Sequence, residues 1–320
     1  MSAASGGDAV LKVLYLGPDD LLAFVRERLG ARYAVVQAAD ADGARAQIAD
    51  THFVLDAYMR VRFDKALLES ARSLRAFVTA TTGADHVDAV ALESRGIPLL
   101  TLRGQREVLR NLTPAAELSW MLVMACARGA RAAIDEVLDG TWNRNNHPGL
   151  MLRGRTIGIV GCGRIGEWMS RYARAFGMRC LGYDPHLTSL PEGVQGVPLA
   201  QLLREADVVS VHVPLNDETR GLLGSAQLEG IKRGAILVNT SRGEIVDERA
   251  LLAALEDGRL RAVGLDVLVG EPDVAEHPLV RYAREHSNVV ITPHIGGFSP
   301  DAVREVLDFC CRRIESLAAT

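Results

Sequence analysis

The sequence predicts an α/β protein of two domains, each built around a largely parallel sheet. Short apolar runs alternate with segments of helical periodicity from residue 11 to about 102, and the alternation returns from residue 156 onward. A glycine-rich turn, GCGRIG, follows the apolar run TIGIV at the start of the second series. A chain of 320 residues is long enough for two such domains.

The first series begins with KVLYLG (12–17), an apolar strand that ends in a Gly-Pro turn. DLLAFVRERLG (20–30) has helical periodicity and a glycine stop. A second helix is predicted at ADGARAQIAD. The further strands predicted here are YAVVQA, HFVLDA, LRAFVTATTG (74–83) and IPLLTL (97–102).

A long apolar helix is predicted from Thr113 to about Gly140, with Thr113 as N-cap and Pro114 at the first helical position. A helix of this length and composition should be buried against another element or another subunit. After it we predict strands at 207–214, 235–241, 262–267 and 288–294 and a helix at 248–258. The segment PDAVREVLDFCCRRIESL closes the chain as an amphipathic helix.

The overall composition excludes several classes of protein. A net charge of −4 and a pI near 6.1 argue against a general nucleic-acid binder. No secretory signal opens the chain, and its longest apolar run is too short to span a membrane, so we expect no membrane partner. The five cysteines show no metal-ligand spacing; we expect no metal site and free thiols in a cytoplasmic protein.

The glycine turn predicts a dinucleotide site of the Rossmann type. Gly161 allows the tight turn, Gly163 a close approach of pyrophosphate, and Gly166 close packing of helix on strand. The start of the following helix offers N–H groups and a positive dipole end. Asp184 ends the next strand, where a carboxylate binds ribose hydroxyls and repels a 2′-phosphate, which favours NAD over NADP. The alternative is an ordinary strand-turn-helix corner with a capping Asp.

Three later segments each place a polar group just past an apolar strand, where open α/β sheets bind their ligands. These are NTSRGEIVDERAL (239–251), GLDVLVGEPD (264–273) and ITPHIGGFSP (291–300), and they offer Arg242, Glu271 and His294. Each residue alone could be a surface charge or a structural group. Their occurrence together favours a catalytic site.

These motifs, with the glycine turn and FVTATTGADHVD (77–88), resemble the NAD-dependent D-2-hydroxyacid dehydrogenase family over nearly the whole chain. TPAAELSWMLVMACARG is most similar to the phosphoglycerate dehydrogenase branch. The resemblance implies two Rossmann-like or flavodoxin-like domains with parallel sheets. The cofactor domain (113–294) would be inserted into a substrate-binding domain (1–112 plus 295–320), with a small-molecule site in the cleft between them. No regulatory C-terminal domain is expected.

The resemblance also implies a role for each catalytic candidate. His294 would be the acid/base, since a histidine can give and take a proton near neutral pH. Glu271 would pair with it and favour the imidazolium form. Arg242 would bind the carboxylate and carbonyl oxygens of the substrate with its planar fork, which Lys cannot supply.

Further contacts follow from the resemblance, residue by residue. Asp266 would accept from the nicotinamide carboxamide, and the backbone near Thr82 and Gly83 would bind the substrate carboxylate. His212 has a packing role or a cofactor contact as alternatives, and His86 is expected to be structural. The remaining cofactor contacts are Arg164 and Ile165 at the helix start, Pro214 and Thr219 in a nearby loop, and Thr240 beside the nicotinamide; Asn111 would be on the substrate side.

The sequence departs from the phosphoglycerate dehydrogenases in two places. Their Arg-Ser pair after the third strand falls on Tyr58-Met59, which puts 3-phosphoglycerate in doubt, although Arg60 and Arg62 follow. The segment LRGQREVLRN (102–111) is about four residues longer than usual and carries three arginines. It is either a solvated basic loop or a contact for a second anion on the substrate. These arginines are Arg103, Arg106 and Arg110.

The sequence therefore predicts a cytoplasmic, homodimeric NAD-dependent oxidoreductase for a D-2-hydroxyacid/2-oxoacid pair with a second anionic group. Glyoxylate/hydroxypyruvate reduction, and formate or phosphite oxidation, are the enzymatic alternatives; the glutamine that formate dehydrogenases carry in place of Glu271 counts against formate. A non-catalytic NAD(H)-sensing protein, similar to the C-terminal-binding corepressors, is the alternative from another class.

Overall fold

A computed structural model describes residues 10–110 and 112–318, without the side chain of Arg106. The chain divides into two compact units. The first comprises the described residues up to Leu112 and from Ser299 onward, and the second is Thr113–Phe298. Both are α/β with parallel sheets, so the predicted fold class is confirmed.

The strands and helices alternate along the chain as the sequence predicts. The strands are β1 (Leu11–Leu16), β2 (Tyr33–Gln37), β3 (Phe53–Asp56), β4 (Ala76–Thr79), β5 (Leu99–Leu100), β6 (Thr156–Val160), β7 (Arg179–Tyr183), β8 (Val194–Gly196), β9 (Val208–Val211), β10 (Ala235–Asn239), β11 (Leu260–Leu265) and β12 (Val289–Ile291). The helices are α1 (Leu22–Leu29), α2 (Ala41–Gln47), α3 (Lys65–Ser70), α4 (Ala89–Glu93), α5 (Arg106–Leu109), α6 (Pro114–Arg128), α7 (Ala130–Leu138), α8 (Arg164–Ala175), α9 (Leu199–Glu205), α10 (Ser225–Glu229), α11 (Glu248–Glu256), α12 (Pro278–Glu285) and α13 (Pro300–Ala318).

The first unit has a five-stranded sheet in the order β2-β1-β3-β4-β5. Alternate strand residues face opposite sides of the sheet. Val13 and Tyr15 of β1 join the core cluster that contains α1 and α13, whereas Leu14 and Leu16 join the cluster on the other side with α2, α3 and α4. Covering both faces explains why these strands read as continuous apolar runs.

The second unit has a seven-stranded sheet in the order β12-β11-β10-β9-β6-β7-β8. Helix α6 packs on β10 and β11, closely enough that a Cβ on Gly264 would lie 2.9 Å from the Leu122 side chain. All strand pairs are parallel, so their carboxyl ends share one edge. The strand order makes β10, β11 and β12 consecutive neighbours, and likewise β9, β6 and β7.

The long helix predicted from Thr113 to Gly140 is wrong in one respect, because it is two helices. Gly129 separates α6 from α7 and adopts left-handed backbone angles (φ 57°, ψ 39°). Its N–H closes the end of α6 on the carbonyls of Ala125 and Cys126. Glycine takes this conformation without steric cost, which makes it a common helix terminus.

The second boundary between the two compact units falls after Phe298, and the expected end of the cofactor domain at His294 stays a prediction. The backbone N–H groups of Ile295 and Gly296 donate to the carboxylate of Asp266 in the second unit. These bonds keep the segment after His294 with the sheet that carries Asp266.

The structure also gives findings on membrane-spanning helices, metal ligands and cysteines. Among residues 10–110 and 112–318, no helix has the length and apolar character needed to cross a membrane. The same residues contain no cluster of side chains suited to a metal ion. All five cysteines are buried and free of disulfides: Cys126, Cys162, Cys180, Cys310 and Cys311.

Candidate active site

The three catalytic candidates follow three neighbouring strands of the second sheet. β10 ends at Asn239, three residues before Arg242. β11 and β12 end at Leu265 and Ile291, just before the loops that carry Glu271 and His294. Because parallel strands share one carboxyl edge, all three side chains come to the same edge of the sheet.

His294 and Glu271 are brought into direct contact. Nδ1 of His294 is hydrogen-bonded to Oε1 of Glu271, and the two side chains keep about a third of their surface exposed, 37% and 33%. Burial opposes ionisation of Glu271, but the hydrogen bond and charge of His294, the N–H of Leu268 and the charge of Arg242 outweigh it and lower the pKa of this carboxyl. The pair thus combines a carboxylate whose ionised form is favoured with a histidine whose Nε2 makes no hydrogen bond within the described residues.

Asp266 holds the loop that carries His294. Its Oδ1 accepts from the hydroxyl of Thr292 (2.6 Å) and the N–H of Ile295 (2.9 Å), and its Oδ2 accepts from the N–H of Gly296 (2.7 Å). The backbone N–H of His294 donates to the Asp266 carbonyl oxygen at 2.9 Å. Contacts therefore flank His294 on both sides and fix its position relative to β11.

The backbone of His294 and the burial of Asp266 are two further features of this part of the site. His294 has a positive φ of 53°, a backbone conformation that few residues other than glycine adopt. Asp266 is 1% exposed, and burial raises the pKa of its carboxyl although the hydrogen bonds from the loop oppose the shift. Its expected contact with a nicotinamide carboxamide stays a prediction.

Arg242 stands on a turn that its neighbours hold. The side-chain Nδ2 of Asn239 donates to the backbone carbonyl of Arg242 (2.8 Å), and Oδ1 of the same Asn239 side chain accepts from the N–H of Ser241 (3.0 Å). The Ser241 hydroxyl donates to the carbonyl of Val211 at the end of β9 (2.9 Å). Nη1 of Arg242 donates to the Ser241 carbonyl. Sequence reasoning missed Asn239 and Ser241, although the polar run NTSR after the strand was the available signal.

The glycine turn between β6 and α8 has the shape that a dinucleotide requires. Gly161 has φ 91°, and a Cβ there would lie 2.7 Å from the carbonyl oxygen of His212. A Cβ on Gly166 would collide with the carbonyl oxygen of Gly161. Side chains are thus excluded where the turn is tight and where the helix meets the strand, as the motif predicts.

At Gly163 a side chain would have room, since apart from the residues next to it in the chain no described atom lies within 4 Å of where its Cβ would be. Gly163 is the N-cap of α8 and has no side chain with which to cap it. The helix start at Arg164 and Ile165 therefore presents backbone N–H groups and a positive dipole end beside open space, which suits a pyrophosphate. Burial lowers the pKa of the half-buried Arg164 guanidinium.

Asp184 lies at the end of β7 and ties it to the glycine turn. Its Oδ2 accepts from the N–H of Cys162 (2.9 Å) and its Oδ1 from the N–H of His186 (3.0 Å). A cavity of about 300 Å³ opens beside it, and its lining includes Tyr183, Leu187, Val197 and Pro198. A carboxylate next to a partly apolar hollow is the environment that a ribose and its base need.

His212 lies beneath the glycine turn, and its two expected roles, packing or a cofactor contact, stay predictions. Its Nε2 is hydrogen-bonded to the Ser210 hydroxyl at 2.7 Å, and its Nδ1 is buried with no partner in the described part of the chain. Burial lowers the pKa of His212 to about 3, so the ring is neutral. The next loop is closed by Thr219, whose hydroxyl donates to the Pro214 carbonyl at 2.6 Å.

Thr240 is joined to α6, because its hydroxyl is 2.7 Å from that of Ser119. Ser119 is fully buried and was not singled out from the sequence. The roles of Thr240, Pro214 and Thr219 as cofactor contacts stay predictions.

In the first unit, Asp56 at the end of β3 organises the loop that follows. Its Oδ1 accepts from the N–H groups of Tyr58 (3.2 Å) and Met59 (3.3 Å), and its Oδ2 is 2.7 Å from Nε2 of His86. Met59 has φ 56°, and the Arg60 guanidinium lies over the Tyr58 ring at 4.1 Å. His86 therefore has the structural role that the sequence suggested.

The predicted substrate-side residues of the first unit lie close to the ends of β4 and β5. Thr82 and Gly83 follow β4, where the Thr81 hydroxyl donates to the Gly83 carbonyl at 2.6 Å. Asn111 is outside the described residues. The basic segment 102–110 contains one turn of helix, α5, anchored by the buried Leu102 and Val108. Arg103 and Arg110 are exposed.

Two family models match the chain and together span most of it. Residues 13–143 match the catalytic domain of the D-isomer specific 2-hydroxyacid dehydrogenases. Residues 120–296 match the NAD binding domain of the same family. The second match contains the glycine turn and all three catalytic candidates.

Individual proteins agree with this match. A glyoxylate reductase of Korarchaeum cryptofilum is 42% identical over 243 residues, which cover 74% of this chain and 70% of that protein. A D-3-phosphoglycerate dehydrogenase of Methanocaldococcus jannaschii is 35% identical over 74% of this chain, but the match spans only 44% of that longer protein. The crystal structure of the TT0316 protein from Thermus thermophilus superposes with a TM-score of 0.83 at 34% identity, covering 96% of both chains. The chain therefore belongs to the D-isomer specific 2-hydroxyacid dehydrogenase family and is an NAD-dependent oxidoreductase.

Proposed function

We propose that this protein interconverts a small D-2-hydroxyacid and its 2-oxoacid, with His294 as the acid/base. The observation that carries the proposal is the hydrogen-bonded pair of His294 and Glu271, with Arg242 close enough for its charge to lower the pKa of Glu271. One acid/base, one carboxylate and one fixed cation are what reduction of an anionic ketone requires.

In this proposal Nε2 of His294 donates the proton that the carbonyl oxygen gains on reduction, and takes it back on oxidation. Glu271 stabilises the imidazolium form at Nδ1 and holds the orientation of the ring. Asp266 keeps the loop in place through backbone groups, so the imidazole need not reorganise when the proton moves.

Arg242 binds the carboxylate and carbonyl oxygens of the acid. Its planar guanidinium can donate two parallel hydrogen bonds, which positions the substrate and offsets the charge that develops on the oxygen. In the first unit we propose that the backbone of Thr82 and Gly83, and the side chain of Asn111, complete the substrate contacts.

The cofactor contacts are proposed from the fit of the glycine turn. NAD, when bound, supplies or accepts the hydride at the substrate C2. Gly161, Gly163 and Gly166 shape the turn, and the amides of Arg164 and Ile165 face the pyrophosphate. Asp184 binds the ribose hydroxyls, and we place Pro214, Thr219, Thr240 and Asp266 along the rest of the cofactor.

For the substrate we propose a 2-oxoacid with a second anionic group. The support is the exposed Arg103 and Arg110 on the segment whose helix α5 is anchored in the core of the first unit. A simpler substrate, glyoxylate, is the second candidate, and it is favoured by the 42% identity to a glyoxylate reductase. The two substrate proposals make different predictions: only a doubly anionic substrate should lose turnover when the arginines of the basic segment are replaced.

The test is NADH consumption with glyoxylate, hydroxypyruvate, 3-phosphohydroxypyruvate, 2-oxoglutarate and a phosphono-oxoacid. Each substrate is measured with the unmodified protein and with Arg103, Arg106 and Arg110 replaced by alanine. Arg45→Ala is the matched control, since Arg45 is exposed on α2 of the same unit. A preference for a doubly anionic substrate that the three variants lose and the control keeps supports the second-anion proposal.

Equal turnover of glyoxylate in all variants would instead support glyoxylate reduction and leave the basic segment without a catalytic role. Tight NAD(H) binding without turnover of any substrate would overturn the enzymatic proposal. It would favour the NAD(H)-sensing, corepressor-like alternative.

Replacing Asp184 by alanine should reduce the preference for NADH over NADPH. The change removes the charge that repels a 2′-phosphate, and it also removes the hydrogen bond to Cys162. We therefore expect the NADH dissociation constant to rise by roughly tenfold, the scale of one hydrogen bond to a charged group. Direct titration of both cofactors measures this. An unmodified protein that binds both equally would contradict the role of Asp184.

We propose that the protein is a homodimer that associates through the α6–α7 region of the second unit. Helix α7 has no buried residue, and large apolar side chains are exposed along this region. Such a concentration of exposed apolar surface marks an interaction site, and a second copy is the usual partner. The exposed side chains are Met121, Ile134, Val137, Leu138, Trp142 and Met151.

Leu138→Asp should therefore convert the protein to monomers, because a carboxylate would be buried in the interface. Leu138 is 79% exposed in the single chain, so the substitution should not disturb folding. Val90→Asp is the control, since Val90 is 75% exposed in the first unit. Light scattering after size-exclusion chromatography gives the mass. A monomeric unmodified protein would contradict the proposal.

A cytoplasmic location is proposed from the cysteines. All five are buried and free of disulfides in the structure, and burial raises the pKa of four of them, Cys126, Cys162, Cys310 and Cys311, to about 12. A reducing compartment suits a chain with this cysteine usage. Fractionation of cells that express the protein tests the location.

A further inference from the structure

The turn that joins β11 to Glu271 is held by two carboxylates. The N–H of Leu268 donates to Oε2 of Glu271 itself at 3.2 Å. The next N–H, that of Val269, donates to Oε1 of Glu248 at 2.9 Å. Glu271 thus binds a backbone N–H of the turn that carries it as well as His294, whereas Glu248 binds the same turn from helix α11.

Glu248 is in turn fixed by a histidine. Its Oε2 is 2.9 Å from Nε2 of His277, and the two side chains are only 16% and 10% exposed. Glu248 is the first residue of α11, where the helix dipole favours a carboxylate. A partly buried carboxylate with both oxygens bonded has little freedom to move.

The role of His277 follows from its other ring nitrogen. His277 is the N-cap of α12, and its Nδ1 accepts from the N–H of Leu279 at 3.2 Å. An acceptor at Nδ1 leaves the hydrogen of the neutral ring on Nε2, where it is donated to Glu248. Glu248 therefore accepts hydrogen bonds from both His277 and the Val269 N–H, and so links α12 to the turn at Val269.

The same turn packs against the segment that carries Arg242. A Cβ on Gly243 would collide with the backbone of Leu268 and Val269. The turn is thus confined by the close approach of Gly243 and by the hydrogen bond to Glu248. A displacement of the 268–271 backbone would move Glu271 relative to both Arg242 and His294.

We propose that Glu248, held by His277, is a positioning residue for the reaction, acting through the 268–271 turn on Glu271. The inference rests on the proposed function of the His294–Glu271 pair. Glu248 holds the Val269 N–H, this fixes the turn, and the turn sets the distance from the Glu271 carboxylate to Nδ1 of His294. A purely structural Glu248 would stabilise the start of α11 without affecting turnover.

Glu248→Ala tests the proposal, with Glu256→Ala as control because Glu256 is exposed at the other end of the same helix and the charge change is the same. We expect kcat to fall roughly tenfold or more, as small misplacements of catalytic groups do. The KM of the oxoacid and the NADH dissociation constant should stay within about twofold. The control should keep all three values.

A milder pair of variants covers the case in which Glu248→Ala does not fold. Glu248→Gln keeps an oxygen for Val269 but places an amide N–H against Nε2 of His277. His277→Ser keeps a capping hydroxyl for α12 yet cannot reach Glu248. Both should lower kcat while the protein stays folded at the assay temperature. A loss of stability with kcat retained would overturn the proposal.

Amide hydrogen exchange of the 268–271 segment provides a readout that does not depend on substrate. Exchange should be faster in Glu248→Gln than in the unmodified protein, and unchanged in the control. Unchanged exchange would overturn the proposed support of the turn, whatever the activity. If the unmodified protein reduces no oxoacid while exchange does respond, the proposed function fails and the support of the turn by Glu248 stands.

Discussion

Replacing His294 by alanine is expected to lower kcat by about 10²- to 10⁴-fold, the range for loss of a general acid/base. The dissociation constant of NADH should change by less than about twofold. The physical reason is that the His294 side chain contacts Glu271, whereas the glycine turn and Asp184 stand at other strand ends of the same sheet. Steady-state kinetics and fluorescence titration of NADH measure the two effects separately.

The control for this experiment is His286→Ala, which removes an exposed imidazole from the second unit away from the pair. It should leave kcat unchanged. A collapse of NADH affinity in His294→Ala would show that His294 supports the cofactor rather than the proton transfer. Retention of kcat would remove it from the reaction altogether.

The second large effect is expected for Arg242→Lys, which keeps the positive charge and removes the planar fork. One charge-assisted hydrogen bond contributes about 1.5–3 kcal/mol, so kcat/KM should fall by roughly 10- to 100-fold. The loss should be of similar size for every oxoacid tested, because each carries a carboxylate next to the carbonyl. The panel of oxoacids measures it, with NADH binding as an internal reference.

Arg204→Lys is the matched control for Arg242→Lys, because Arg204 is exposed on α9 of the same unit. Its kcat/KM should equal that of the unmodified protein. Should Arg242→Lys retain full kcat/KM, the guanidinium would act only as a charge, and the bidentate arrangement that we propose would be wrong.

The fold was predictable because alternation of apolar runs and helical segments is a local signal. The break at Gly129 was not, since an isolated glycine between strong helix formers can also be tolerated inside a helix. The contacts of Ile295 and Gly296 were not predictable either. Both residues bind the carboxylate of Asp266, which lies about 30 positions earlier in the chain.

In the candidate site, too, some residues have a local sequence signal and others do not. Arg242, Glu271 and His294 could be found because each follows an apolar strand, and parallel strands bring such residues to one edge. Glu248 and His277 could not, since they act on residues 21 and 29 positions away and neither position has a pattern of its own. Supporting contacts of this kind depend on the tertiary structure.

The hydrogen bonds between Asp266 and the loop that carries His294 determine which positions of that loop can vary in sequence. Two of the three loop contacts of the Asp266 carboxylate are made to the backbone N–H groups of Ile295 and Gly296, which any residue except proline provides. Side chains after the histidine can thus change over generations, or in a designed library, while the imidazole keeps its place. At Gly296 the freedom is smaller, because a Cβ there would lie 2.9 Å from Oδ2 of Asp266.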